Sequence, residues 1–373
     1  SLSFCIFIQI VMLPLIIYFQ YEAPAFSFLA NVAAVPLATC AFTLAFLLIF
    51  LPYTVFHEAI SWMIQGVLWI SRQSYGMLTI GHVPFLWVLL FYFMTGLWIW
   101  KKNGQNRHIR ISLAYVIMII LIWIPMARRK SLAFLDVGQG DCFVADTKSG
   151  AIIFDGGSSS EDQVGRYRIL PYMKYLGYQK IQIAVISHMD IDHYSGIKEL
   201  LEMGKIKYLG LPEIPKDETM KKIIGIAKKR GTTIFYLSRG RQITTKDGSL
   251  KVLHPQKNSQ MEKNAASLVM QGKILGYRVL LTGDVEKEGE EELLSEELER
   301  ADILKAAHHG SKNSTSNEFL QKVQPKQTVI SCGKQNRYGH PHLETIHRLQ
   351  TYRTKIYRTD RSGAIIFFKR RDG

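Results

Sequence analysis

The densest group of chemically active side chains lies in one short run. His188, Asp190, Asp192 and His193 are four metal-capable side chains within six residues of one another. The run follows an apolar stretch that predicts a buried strand, and it precedes a predicted helix, so one strand-to-helix turn can bring all four side chains to one point. Imidazole and carboxylate ligands together suit zinc or manganese. A helix cap would need Asp192 alone, and the run therefore predicts a metal site.

Three more polar clusters follow apolar stretches later in the chain. They are Thr282-Gly283-Asp284, Ala307-His308-His309-Gly310-Ser311 and Arg337-Tyr338-Gly339-His340-Pro341-His342. Six of the eleven histidines fall in three compact clusters, a distribution that core packing does not explain. Asp284 either bridges two cations or caps the helix that follows it. Asp141 and Asp155 also end early strands, but their glycine neighbours are ordinary turn formers.

The elements that must position these clusters alternate along the chain after residue 130. Short β-rich runs alternate with polar turns and helical stretches, which indicates an α/β layer fold. The predicted strands are 131–137, 142–145, 151–154, 181–187, 279–281 and 364–368. The predicted helices are 164–176, 196–203, 218–230, 287–298, 317–322 and 342–351. The apolar runs 181–186, 279–281 and 364–368 are typical of strands buried on both faces.

The first 130 residues have a different composition. They hold eight Lys or Arg and two acids, whereas the remainder holds 38 basic and 29 acidic residues. Apolar runs at 3–19, 29–51, 83–100 and 111–125 predict membrane spans. Residues 54–72 are amphipathic and fit either an interfacial helix or a polar lining for a passage. The composition excludes disorder and a disulfide scaffold.

The ends and loops of this apolar part suggest how it is placed. The chain opens without Met and without a charged leader, which favours a fragment of a larger membrane protein over a signal peptide. A basic loop at 101–110 favours the cytoplasm and would place everything after residue 130 outside. The basic trio 128–130 on the supposed outer side argues against this orientation.

Several motifs in this order resemble one known family. They are Gly138-Gln139-Gly140-Asp141, Asp155-Gly156-Gly157, the run 188–193, Thr282-Gly283-Asp284, His308-His309-Gly310-Ser311 and Tyr338-Gly339-His340-Pro341-His342. Together they resemble the metallo-β-lactamase superfamily, and specifically the carboxy-terminal domain of the ComEC family of DNA-uptake proteins. The membrane part is similar to the end of that family's competence domain, in segments 18–20, 29–31 and 34–37.

The resemblance implies an α-helical transmembrane bundle at 1–130 followed by an α/β domain at 131–373. That domain would be an αββα metallo-β-lactamase-like sandwich with a metal site at the edge of its two sheets. It would be mounted on a multi-pass channel in the cytoplasmic membrane that carries single-stranded DNA. The hydrolase domain would face outward and degrade the strand that is not imported.

The metal run departs from the superfamily's usual HxHxDH pattern, because Asp190 stands where a second histidine is common. A carboxylate favours manganese or magnesium relative to zinc. The resemblance implies two divalent ions, manganese or zinc, with Asp284 bridging them and His309 or His308 completing the second site. His254 is one candidate for the remaining ligand, although a plain loop residue is the simpler interpretation.

These features lead to a metal-dependent nuclease as the first hypothesis. Asp192 and His340 are the predicted catalytic residues, and His340 would contact phosphate, protonate the leaving group or have a structural role. The metal ligands are predicted to be His188, Asp190, Asp192, His193, Asp284, His309 and His308. The predicted DNA contacts are Lys228, Lys229, Arg230, Arg241 and Arg337. A solvated helix face explains residues 221–230 equally well.

Two other hypotheses remain open at this point. One is a membrane DNA transporter whose soluble domain binds DNA without cutting it, and the altered run 188–193 motivates it. The other is hydrolysis of a small phosphoester or ester. The predicted partners are double-stranded DNA as substrate, single-stranded DNA as product, the membrane and other DNA-uptake components, and a homo-oligomer is left open.

Overall fold

The computed structural model describes residues 2–24, 27–50, 54–72, 76–100, 116, 129–261 and 264–370. The chain divides into two compact units. The first comprises 1–126 with 174–177, and the second comprises 127–173 with 178–373.

The first unit is mainly helical. Its helices are α1 (Leu2–Gln20), α2 (Ser27–Leu47), α3 (Thr54–Arg72) and α4 (Phe85–Trp100), and β1 (Glu22–Pro24) pairs antiparallel with β2 (Met77–Thr79). Among the described residues, one helical segment is both long and apolar enough to cross a membrane, Leu29–Leu47. The apolar segments Phe7–Gln20 and Phe85–Leu97 are shorter. The predicted transmembrane bundle is therefore not confirmed, and the predicted span 111–125 lies outside the described residues except for Val116.

The first sheet of the second unit has seven strands in the order β16-β3-β4-β5-β6-β7-β8. Strands β16, β3, β4 and β5 are antiparallel neighbours, whereas β5 to β8 run parallel. The strands are β3 (Ser131–Phe134), β4 (Phe143–Thr147), β5 (Gly150–Phe154), β6 (Ile181–Val185), β7 (Ile206–Pro212), β8 (Thr233–Leu237) and β16 (Ile365–Phe368).

The second sheet repeats this plan in the order β15-β14-β13-β12-β11-β10-β9. Strands β9 to β12 are antiparallel, and β12 to β15 run parallel. The strands are β9 (Gln242–Thr245), β10 (Gly248–His254), β11 (Val269–Ile274), β12 (Tyr277–Leu281), β13 (Ile303–Lys305), β14 (Gln327–Ile330) and β15 (Lys355–Arg358).

The two sheets pack face to face around one apolar core. Phe134, Phe143 and Val185 from the first sheet share this core with Met270 and Val279 from the second. Sheets with one apolar face reach this arrangement because each can bury that face only against another layer.

Helices cover the outer faces of both sheets. Phe319, Leu320 and Leu349 pack on the second sheet with buried residues of its strands. The helices are α5 (Leu170–Tyr175, after a π-helical turn at Gly165–Ile169), α6 (Ile191–Glu202), α7 (Glu218–Lys229), α8 (Lys287–Leu294), α9 (Asn317–Val323), α10 (Leu343–Thr351) and α11 (Thr359–Ser362). The described second unit is thus an α/β sandwich of two sheets between helices, as predicted.

The prediction that run 364–368 is buried on both faces is wrong. Strand β16 lies at the edge of its sheet and pairs only with β3 among the described strands. Ile365 and Phe367 face the core, while Ile366 and Phe368 are exposed at 41% and 49%. An antiparallel edge strand needs one buried face only, so its apolar outer residues gave a misleading pattern.

Candidate metal centre

The candidate site lies where the parallel strands of both sheets end. His188, Asp192 and His193 follow β6, Asp284 follows β12, and His309 follows β13. Loops at the carboxyl ends of parallel strands face the same edge of a sheet, which is where α/β proteins place ligand sites. The face-to-face packing of the two sheets brings both edges together.

Four of the predicted ligands meet at this edge. His193 Nε2 lies 3.2 Å from Asp284 Oδ2, and His309 Nε2 lies 3.4 Å from the same oxygen. Asp192 Oδ2 is 3.3 Å from His309 Nε2. Ligands bound at the usual zinc distance in a tetrahedron are separated from one another by about 3.4 Å. These three separations therefore fit donors that share one ion.

The hydrogen bonding of these atoms also fits a metal ion. His193 Nε2, His309 Nε2 and His188 Nε2 are buried and make no hydrogen bond within the described part of the chain. Buried ring nitrogens normally find a partner. His193 Nε2 and His309 Nε2 face Asp284, and His188 Nε2 faces Asp190. Free ring nitrogens beside carboxylate oxygens are donors that suit a divalent cation.

Asp155 sets the orientation of His193. Its Oδ2 lies 3.0 Å from His193 Nδ1, and its Oδ1 accepts a hydrogen bond of 2.7 Å from the backbone N–H of Ser187. A carboxylate that accepts the Nδ1 proton leaves the Nε2 lone pair directed at the metal. Asp155 is fully buried and has a positive φ of 57°.

The His309 imidazole is held by the backbone. Its Nδ1 lies 2.9 Å from the Ser331 carbonyl oxygen, which can only accept, so Nδ1 carries the proton and Nε2 is the donor to a metal. His308 and His309 have φ values of 48° and 54°, an uncommon conformation for residues with a side chain. Two successive left-handed residues are typical of a functional turn.

Asp141 and Lys305 form a buried ion pair next to the imidazoles. Asp141 belongs to one compact group with His193, Asp284 and His309. Its closest approach to the two imidazoles is to their Nδ1 atoms, at 3.7 Å for His193 and 3.5 Å for His309. The buried ammonium group of Lys305 forms an ion pair with Asp141 and lies 3.4 Å from Asp284 Oδ1.

The other predicted ligands lie at the margin of this group. His188 Nε2 is 3.6 Å from Asp190 Oδ2, and the ring of His188 lies 4.1 Å from that of His193. The Asp190 side chain is 39% exposed. His308 Nε2 is 3.8 Å from Asp284 Oδ2, but its Nδ1 pairs with Glu286 at 2.7 Å.

His340 and His254 have different positions. The His340 ring lies 5.4 Å from the His308 ring and 6.1 Å from the His309 ring, so it borders the site. His254 ends β10, where it lies 2.6 Å from the Ala265 carbonyl oxygen and 3.3 Å from Glu292. His254 is not part of the compact ligand group.

Charge interactions shift the titration of the central residues. Burial opposes a charged imidazole, but Asp284 and Asp141 outweigh it and raise the pKa of His309 to about 10. Burial likewise opposes charge on His193, but Asp284 and Asp155 raise its pKa well above the usual value. Burial opposes ionisation of Asp192, yet the neighbouring imidazoles of His309 and His193 lower its pKa to about 2. A metal ion would displace protons from both imidazoles.

Two glycine motifs allow the loops to pack this closely. A Cβ on Gly157 would lie 2.5 Å from the Ile191 carbonyl oxygen and 2.6 Å from His193 N. A Cβ on Gly140 would clash with the Gly157 carbonyl oxygen and lie 2.7 Å from the Asp192 carbonyl oxygen. The glycines therefore let two loops contact the backbone of the ligand-bearing helix.

The predicted DNA contacts are exposed and lie on separate elements. Lys228 and Lys229 are in the last turn of α7, Arg230 caps it, and Arg241 precedes β9. Arg337 donates to the Tyr338 hydroxyl at 2.7 Å and stacks over that ring. The role of these five basic residues in DNA binding remains a prediction.

Sequence reasoning assigned no role to Asp141, Asp155 or Lys305. The two aspartates were visible as acids at strand ends, but their glycine neighbours suggested turns. Lys305 gave no signal, because its role depends on contacts with residues that are distant in sequence.

These features define the class of the protein. The family model described as "Metallo-beta-lactamase superfamily" matches residues 135–334, and the chain belongs to that superfamily. The chain is 34% identical to ComE operon protein 3 of Bacillus subtilis (strain 168), over 73% of this chain and 38% of that protein. It is 30% identical to Competence protein ComA of Neisseria gonorrhoeae, over 64% of this chain and 32% of that protein.

The predicted resemblance to the ComEC family is confirmed by these relatives. The chain spans about a third of the length of the curated relatives it matches. Among solved structures it is similar to the metallo-β-lactamase fold protein YhfI from Bacillus subtilis. That match has a TM-score of 0.45 and 13% identity, and it covers 63% of this chain and 99% of the other.

Proposed function

We propose that this protein is part of a DNA-uptake system and that its second unit is a metal-dependent DNA phosphodiesterase. The single observation that carries the proposal is the convergence of the buried residues His193, Asp284 and His309 at one point, with the half-buried Asp192 beside His309. A divalent ion there would lower the pKa of a bound water and stabilise negative charge on phosphate oxygens. The names of the competence relatives support DNA as the substrate.

The residues at the metal centre would have different roles. His193, His309 and Asp284 would hold the metal, and Asp155 and Ser331 would fix the two imidazoles. Asp192 would bind the metal and orient the attacking water. The Asp192 side chain is 17% exposed, against 4% for Asp284, so it lies on the side of the site that a substrate can reach.

His340 would contact the phosphate of the substrate. Burial and the charges of His309 and His308 lower its pKa to about 4, so the ring is neutral at neutral pH. A neutral imidazole can donate one N–H to a phosphate oxygen, and it is a poor source of a proton for a leaving group. This favours the phosphate contact over protonation of the leaving group.

The location and partners of the whole protein belong to the same proposal. The apolar segment Leu29–Leu47 and the exposed side chains Phe42 and Trp62 support insertion in a membrane. We place the hydrolase unit outside the cytoplasm, where it would meet double-stranded DNA and degrade the strand that is not imported. Lys228, Lys229, Arg230, Arg241 and Arg337 would contact the DNA backbone.

The test is cleavage of labelled DNA by the full chain purified in detergent. With Mn²⁺ the wild type should cut DNA, and Asp192→Ala should lower the rate at least about 100-fold, as expected when a metal ligand that orients the nucleophile is removed. Asp162→Ala, at an exposed acid of the same unit, should cut at the wild-type rate.

The second candidate function is DNA binding without cleavage. The partial exposure of Asp190 favours it, because the run departs from the usual ligand pattern at that position. Retention of labelled DNA without cleavage under Mn²⁺, Mg²⁺ and Zn²⁺ would support this function and overturn the nuclease. Turnover of a small chromogenic diester in preference to DNA would overturn both.

A further inference from the structure

We propose that the ammonium group of Lys305 is a fixed cation of the metal centre, which takes the place of a second metal ion, so that the centre holds one divalent ion tightly. The inference rests on the metal-binding part of the proposed function and is independent of the substrate. It departs from the two ions that the family resemblance implies.

Lys305 is surrounded by oxygens in the way a metal ion would be. It ends β13, and 5% of its side chain is exposed. Its Nζ donates to the Gly283 carbonyl oxygen at 2.8 Å, pairs with Asp141 and lies 3.4 Å from Asp284 Oδ1. A buried ammonium is tolerated only with such partners, so the position is built for one positive charge.

Asp284 separates this cation from the metal position. Its Oδ2 faces the Nε2 atoms of His193 and His309, and its Oδ1 faces Lys305. One carboxylate oxygen would therefore bind the metal ion, and the other pairs with the ammonium group of Lys305. A ligand that bridges two metals would share its oxygens between them, and here one oxygen is already committed to the lysine.

Asp141 is the counter-ion of Lys305, although it belongs to the same compact group as His193, Asp284 and His309. It approaches His193 and His309 from their Nδ1 side, and those nitrogens are bound to Asp155 and to the Ser331 carbonyl. On that side of the rings the charge of Asp141 is balanced by the ammonium group of Lys305.

A second ion has few ligands elsewhere. His188 and Asp190 lie 3.6 Å apart, but no third His, Cys, Asp or Glu atom completes a compact group with them in the described residues. Two ligands, one of them 39% exposed, hold a metal weakly compared with the donors around Asp284. The centre therefore favours one tightly bound ion.

The experiment is a calorimetric titration of the metal-free full chain in detergent with Mn²⁺, checked by metal analysis. The wild type should bind one ion tightly. Lys305→Met should bind two, because Asp141, Asp284 Oδ1 and the Gly283 carbonyl are then left for a second cation. Lys305→Arg keeps the charge and should bind one. The double variant Lys305→Met with Asp141→Asn removes the charge pair as a unit and should also bind one.

Two tight ions in the wild type, or one ion in a folded Lys305→Met chain, would overturn the inference. If Lys305→Met alone does not fold, the double variant decides, and two ions there would contradict the role of Lys305. A wild-type chain that binds one ion but does not cut DNA supports this inference while overturning the nuclease, so the two proposals fail separately.

Discussion

The His193 imidazole presents its Nε2 lone pair to the metal centre because Asp155 accepts its Nδ1 proton. Asp155 also accepts the Ser187 N–H, so both carboxylate oxygens are in use. An amide at this position can satisfy Ser187 with its oxygen, but its NH₂ group then faces His193 Nδ1. The ring would have to carry its proton on Nε2, where the metal must bind.

We therefore predict that Asp155→Asn weakens Mn²⁺ binding by about 10- to 100-fold, the usual effect of losing an outer partner of a ligand. Calorimetry on the full chain measures it. Asp146→Asn is the matched control. Asp146 is a buried acid of the same sheet, and it accepts hydrogen bonds from Tyr178 and Lys130. Unchanged affinity in Asp155→Asn would show that Asp155 does not set the tautomer.

The sequence predicted the site where its residues are close along the chain. His188, Asp190, Asp192 and His193 are neighbours, so their residue types alone indicated a metal. The contacts of Asp155 with His193 and of Lys305 with Asp141 join residues 38 and 164 positions apart, respectively. Nothing in the local sequence around either residue distinguishes these contacts from an ordinary turn or a surface lysine.

At the scale of elements, the start of α6 is held against two glycine-containing loops. Gly157 has room only for a hydrogen, because backbone atoms of Ile191, Asp192 and His193 lie within 2.6 Å of the position that a Cβ would take. Gly157→Ala should push this turn outward, lower the free energy of unfolding by about 1–3 kcal/mol and weaken Mn²⁺ binding.

The control for this substitution is Gly225→Ala. Gly225 lies within α7, and a Cβ there meets nothing within 4 Å. Alanine in an open helical position should be neutral or stabilise by up to about 1 kcal/mol. Thermal unfolding and calorimetry compare the two variants, and equal behaviour would contradict the packing argument.

A buried carboxylate also connects strands of the second sheet. Asp302 accepts from the Arg278 N–H at 3.0 Å, and it pairs with Lys326 at 2.9 Å and Arg370 at 3.4 Å. Burial opposes its ionisation, but these partners outweigh burial and lower its pKa. Its stabilising effect should therefore be complete above the unfolded pKa of about 4 and be lost as the pH falls through the lower folded pKa.

Asp302→Asn should cost about 2 kcal/mol at neutral pH, the scale of one charge-assisted hydrogen bond. That corresponds to a fall in Tm of about 4–8 °C in a unit of this size. The difference from wild type should shrink as the pH falls below about 4. Asp162→Asn, at an exposed acid, should show no such difference. A difference in Tm between Asp302→Asn and wild type that stays constant from pH 7 to pH 3.5 would contradict a stabilising role for ionised Asp302.

The elements themselves were largely predictable, because apolar runs bounded by turn residues locate strands and helices. Predicted helix 218–230 and observed α7 (Glu218–Lys229) differ by one residue. The order of strands was not predictable. Strand β16 pairs with β3, with Ile365 opposite Phe134, and that pairing depends on how the whole core closes and not on either strand's own sequence.

At the scale of the whole molecule, the excess of basic residues gives the end of α7 two alternative roles, a solvated helix face or a surface for DNA. Lys228, Lys229 and Arg230 end α7, whose other side buries Met220 and Ile223. Basic residues at this end also stabilise the negative end of the helix dipole. A solvated helix face and a DNA contact therefore predict the same structure, and binding measurements must separate them.

If these three side chains contact phosphates, replacing all three by alanine should flatten the dependence of log K on log salt by up to about 2.7 for duplex DNA, because each contact releases about 0.9 counterions. Anisotropy of labelled DNA in the presence of a chelator measures binding without cleavage. The matched variant replaces three other exposed lysines of the same unit, Lys180, Lys198 and Lys207. This control variant removes the same charge, so an equal change in its salt slope would indicate general attraction of DNA to a basic protein. An unchanged salt slope in the α7 variant would assign Lys228, Lys229 and Arg230 to the solvated helix face.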